Sequence, residues 1–126
     1  MKILKYIIAI YLITSAASAH EMVPTYPKLV PSHIDGLQKT SLTVFNKRYD
    51  VEFYEIGVFT KDWEPIKFVS NYKIFKVPYL SAVNFEIYIR NEDEAKAIFV
   101  CSQSKLSKAK ITRTAISSRI CSRFKQ

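Results

Sequence analysis

Residues 83–90 (VNFEIYIR) constrain this chain more than any other stretch. Val83, Phe85, Ile87 and Ile89 alternate with Asn84, Glu86, Tyr88 and Arg90. A period of two over eight residues puts an apolar row on one face of a strand and a polar row on the other, as in an antiparallel sheet with one face on a core. One such strand needs partners, and the chain supplies candidates. Residues 41–45 alternate, with Leu42 and Val44 on one face. Residues 51–60 (VEFYEIGVFT) are aromatic and β-branched; Tyr54, Ile56 and Val58 share one face, Val51 and Phe53 the other. Short strands are expected at 66–69 and 72–77, and later ones at 97–102 and 115–124. Asn46-Lys47-Arg48, residues 61–65 and the acidic stretch 91–94 read as turns or loops. A helix within 91–97 or 103–110 stays open. Short strands between turns predict a β-sandwich or small barrel.

The first nineteen residues read as a signal peptide. Lys2 and Lys5 precede an apolar run at 6–13, and small residues follow, ending in Ala17-Ser18-Ala19. That order is the one a cleavable secretory signal requires. The run is too short for a membrane-spanning helix, which needs about 20 apolar residues. Residues 20–126 would then form one exported domain, periplasmic or secreted, with no transmembrane anchor left after cleavage. Its lead-in, 20–37, holds Pro24, Pro27 and Pro31. Each lacks a backbone donor, which predicts an extended entry or an edge strand. In an oxidising compartment Cys101 and Cys121 are most simply a disulfide joining two late strands.

Charge is unevenly placed. Residues 103–126 carry Lys105, Lys108, Lys110, Arg113, Arg119, Arg123 and Lys125 and no acid, whereas 20–102 hold 10 basic and 11 acidic residues. If the disulfide folds this basic segment back, it becomes one positive surface that would attract anionic partners by a salt-sensitive field. Outside the cytosol those are lipid headgroups, acidic glycans or an acidic protein. The plainer reading is a solvated face that keeps the domain soluble. No groove-reading motif is present, so nucleic acid is not the expected partner.

Catalytic signals are sparse. There is no G-x-S-x-G elbow and no phosphate-cradling glycine loop. A Ser–His pair would have to use His20 or His33, the only histidines. Asp62, Glu64, Glu92, Asp93 and Glu94 sit in polar stretches that suit solvated turns better than catalysis. A metal reading starts from His20. Cleavage after Ala19 would make it the new terminus, where amine and ring nitrogens suit copper(II), with His33 as a further nitrogen and Met22 as a thioether. In this His20 resembles the amino-terminal copper sites of periplasmic copper-carrier sandwiches and copper oxygenases.

From Thr40 to Arg90 the order SLTVFN, VEFYEIGVF, D-W-E-P, KVPYL and NFEIYIR resembles the first domain of periplasmic pilus-assembly chaperones. The resemblance implies an immunoglobulin-like antiparallel β-sandwich. The chaperones' second domain is missing here and their subunit-anchoring basic pair has no counterpart, so pilus assembly is not implied. The segments HEMVPTYP (20–27) and YEIGVF (54–59) are also similar to those of small exported bacteriophage proteins of unassigned role. Together these features predict an exported, non-enzymatic binding or accessory domain. Its partner would be a protein paired along a strand edge, or an anionic envelope surface. The alternative is a periplasmic copper-binding protein using His20.

Overall fold

The structure, a computed structural model, describes residues 20–105 and 117–126. The signal peptide, the possible helix beyond 105, and Lys108, Lys110 and Arg113 lie outside the described residues. Among the described residues nine strands form two antiparallel sheets. They are β1 His20–Val23, β2 Val30–Pro31, β3 Leu37–Asn46, β4 Phe53–Phe59, β5 Val69–Ser70, β6 Ile74–Lys76, β7 Ala82–Arg90, β8 Phe99–Lys105 and β9 Arg119–Arg123. One sheet runs β1-β3-β7-β5, with β2 also beside β3; the other runs β6-β4-β8-β9. The chain is an all-β, antiparallel sandwich.

The period of two explains the packing. On β7, Phe85, Ile87 and Ile89 are buried, and on β3 Leu42 and Val44 face the same interior. From the other sheet Tyr54, Ile56, Val58 and Val100 meet them. The inner row of β8 then becomes polar, continuing from Val100 to Ser102 and Ser104, both buried. These small hydroxyl side chains leave room at one end of the sandwich for rings from elsewhere.

Three expectations change in detail. Val51 does not share the outer face with Phe53; it precedes β4 and is buried in the core. Asn46 is not an exposed turn residue but the buried last residue of β3. The acidic stretch forms a single 3-10 turn, Asn91–Asp93. The polar stretch at 61–65 does make a hairpin: Thr60 N donates to Glu64 O and Ile66 N to Val58 O. Trp63 sits there at φ 64 and stacks on Phe99, ring centroids 4.5 Å apart.

The proline-rich lead-in crosses from one sheet to the other. β1 pairs with the last residues of β3, Glu21 facing Phe45 and Val23 facing Thr43. After a cis Val23–Pro24 bond, residues 25–27 leave that sheet and lie along the end of β9. There Arg123 N donates to Thr25 O and Lys125 N to Pro27 O. Both steps advance in the same direction, so this short lacing is parallel. Proline suits it because the segment supplies only acceptors at these contacts.

Candidate functional site

The second sheet ends at β9, and β9 is where the sequence features converge. Cys101 and Cys121 face each other across β8 and β9, and they form the expected disulfide, Cα atoms 4.0 Å apart. Ser104 N donates to Ser118 O and Phe124 N to Ile98 O. Even-numbered residues of β9 therefore turn their backbone toward β8, and odd-numbered ones turn theirs to the opposite edge. On that edge Arg123 and Lys125 are taken by residues 25 and 27. Arg119 and Cys121 have no backbone partner there among the described residues. Among the described residues no backbone hydrogen bond reaches this short edge at Arg119 and Cys121, β1 packs close against β9 without bonding to it, and the lead-in sets a stop at the far end.

The basic residues are distributed unevenly around this edge. Arg119 and Arg123 flank Cys121 on the outer face of the sheet. The Arg119 guanidinium lies over Phe59 at 4.6 Å and over Trp63 at 5.2 Å from the ring centroids. Lys105 is paired with Glu55 at 2.6 Å. Lys125 is exposed beyond the lacing.

His20 is buried, not exposed. It is 3% exposed and its ring reaches across to the other sheet. Nε2 lies 2.8 Å from Ser102 Oγ and 3.2 Å from Ser102 O, and Nδ1 lies 3.0 Å from Ser118 Oγ. The Ser102 carbonyl can only accept, so Nε2 carries the proton and Nδ1 accepts from the Ser118 hydroxyl. The ring also sits 4.6 Å from that of Tyr54.

This geometry lends the copper reading no support. Both ring nitrogens of His20 already have partners, and Met22 is buried in the core. His33 is exposed and meets Tyr88 edge-on. Tyr88 faces Lys39 on β3 whereas His20 faces Asn46. Seven residues of strand separate those positions, roughly 23 Å at the usual rise per residue. The two histidines cannot share one ion. Among the described residues no group of three His, Cys, Asp or Glu could hold a metal. The Ser102–His20 contact has the reach of a nucleophile–base pair, but Ser102 is fully buried and among the described residues Ser118, not a carboxylate, meets the other ring nitrogen. It is a polar clasp between the sheets.

The clasp predicts an acid limb in stability. Burial holds the His20 imidazole below its usual range; the Ser102 carbonyl opposes this and the Arg48 charge adds to it. The unfolded chain takes up that proton near pH 6.5, the folded one only at lower pH. His20 therefore contributes stability that is complete above that value and lost as pH falls through the folded pKa. Urea unfolding at about pH 7 and about pH 5 should show lower stability in acid, and His20→Gln should flatten the difference. An unchanged difference in the variant would place the acid sensitivity elsewhere.

Sequence reasoning passed over Gly57. A lone glycine within a strand signals close approach of another group. Here a Cβ at Gly57 would come within 2.7 Å of the Phe59 ring, which folds back over it on the outer face.

No family model matches the chain, and no curated protein sequence does. Its fold has solved counterparts. The Escherichia coli chaperone DraB is 15% identical, with a TM-score of 0.63, over 84% of this chain and 53% of that one. The complex of Salmonella enterica SafA pilin with the SafB chaperone gives 13% identity and a TM-score of 0.63, over 88% and 55%. The periplasmic chaperone SfaE gives 14% and 0.54, over 84% and 56%. The sandwich is thus of the immunoglobulin-like class. Within it, the fold is pilus-chaperone-like, and the chain spans about half the length of these neighbours.

Proposed function

We propose that this is an exported, non-enzymatic binding domain that holds an extended segment of a partner protein along the open edge of β9. The observation that carries the reading is the backbone of Arg119 and Cys121, which has no partner on its outward side among the described residues, in a strand fixed on its other side by β8 and the disulfide. Such an edge is a template for strand addition, in which main-chain hydrogen bonds give affinity. The pilus-chaperone-like fold supports it, since SafB is found in complex with a pilin. A periplasmic setting is supported by the periplasmic chaperone SfaE among its fold neighbours and by the signal-like first nineteen residues. Among the described residues no helix is long and apolar enough to cross a membrane.

The test separates backbone from side chain. Arg119→Pro removes the outward N–H, whereas Arg119→Ala keeps it. With the chain immobilised against a bacterial envelope fraction, the alanine variant should retain the bound partner and the proline variant should lose it. Amide exchange at 119 and 121 should slow in the complex. Equal retention by both variants, with no protection at those amides, would end the proposal.

A second reading, an anionic envelope surface, draws on Arg119 and Arg123, which share one face and form no ion pair among the described residues. It predicts binding to anionic vesicles that is lost as salt is raised. Retention unchanged in about half-molar salt would exclude it.

A further inference from the structure

Between β4 and the segment 65–73 lies a groove of about 840 Å³ that shares only Arg119 with the strand edge. Its apolar lining includes Gly57, Phe59, Pro65, Ile66, Phe68 and Val69, with Cys101 beside Gly57 on the floor. Gly57 lets the Phe59 ring lie down against the sheet, so that this ring forms part of the groove's wall. Three cations stand on the rim, Lys67, Lys73 and Arg119. None of them forms an ion pair among the described residues, and the one acid in the lining, Glu55, is already held by Lys105. Lys73 Nζ instead lies 5.7 Å from the Phe68 ring centroid.

The backbone beneath the groove narrows the choice of occupant. On that flank of β4, Ile56 N donates to Lys73 O and Val58 O accepts from Ile66 N, and on the other flank β4 pairs with β8. An extended peptide would find few open main-chain partners here. An aliphatic chain needs none. The volume lies within the range of small-ligand sites, which are mostly apolar with a few placed polar groups. We propose that the groove binds a single long-chain fatty acid, its chain on the apolar floor and its carboxylate at the cationic rim.

Trp63, the chain's single tryptophan, stacks beside Arg119 and reports on the site. The full chain is titrated with hexanoate, octanoate, decanoate and dodecanoate below their micellar concentrations, following Trp63 fluorescence. Each added methylene should tighten binding about two- to fourfold. Dodecyltrimethylammonium, with the same tail and opposite charge, should bind about tenfold more weakly than dodecanoate. The double change Lys67→Glu and Lys73→Glu, at two exposed positions, should weaken dodecanoate about tenfold and spare partner capture at β9. Indifference to chain length, equal binding of the two headgroups, or an unaffected double variant would overturn the inference. So would binding to anionic vesicles without binding of monomeric dodecanoate. Loss of the β9 proposal alone leaves this result unchanged, because the fatty-acid test is read on the unaltered chain and on Lys67 and Lys73, which lie outside β9.

Discussion

Asn46→Ala is expected to cost about 3–5 kcal/mol of unfolding free energy, the largest effect of any polar substitution proposed here. The side chain has no exposed surface. Its amide donates to Val51 O at 2.7 Å and Val77 O at 2.9 Å, and its carbonyl accepts from Arg48 N at 2.8 Å and Tyr54 OH at 2.6 Å. Burial pushes the Tyr54 phenol up to about 12, so it stays protonated and remains a donor at neutral pH. Alanine would remove four hydrogen bonds at once, three of them to groups of the buried residues Val51, Tyr54 and Val77. It would also detach the 47–51 loop from the strand it caps. Tyr54→Phe removes only one of the four bonds and should cost about 1–2 kcal/mol. Urea unfolding with an unchanged slope would measure both. Similar costs for the two variants would show that Asn46 is not the hub of this network.

Removing the disulfide is the second large effect. Cys101 and Cys121 are 20 residues apart in sequence. Loop closure of that length stabilises by about 3 kcal/mol through the unfolded state on the chain-entropy account. The paired change Cys101→Ala and Cys121→Ala should lower stability by that amount, and a reductant should bring the native chain down to the same level. The variant itself should be indifferent to reductant. If reductant destabilises the variant as well, its effect is not on this bond. Because β9 has one fully paired neighbour, the loss should appear first as faster amide exchange in residues 119–123.

Where a pattern is local, the sequence reveals it. Phe85, Ile87 and Ile89 point inward because strand geometry alternates side chains, and that requires no knowledge of what they meet. The cysteine pair was legible from compartment and count. His20 was not, because Ser102 and Ser118, which bury it, lie 82 and 98 residues away. Asn46 carries a turn-forming side chain, and the sequence alone does not show that its polar atoms are satisfied from within. The basic tail was visible as a run of charge, but Lys67 and Lys73 fall in a segment of mixed sign, and only the return of the chain past β4 sets them beside Arg119.

The crossing of residues 25–27 onto the far end of β9 has a consequence for which partners could be accommodated. An incoming strand that starts beside Arg119 meets Thr25 once it has passed Cys121, because that lane is already occupied. Only a brief stretch of main chain can therefore dock before it must turn away. Selectivity would then rest on the residues just outside that stretch, where the visitor bends. A chain able to displace the lead-in would gain two further hydrogen bonds, and that makes the entry segment a competitor of its own ligand.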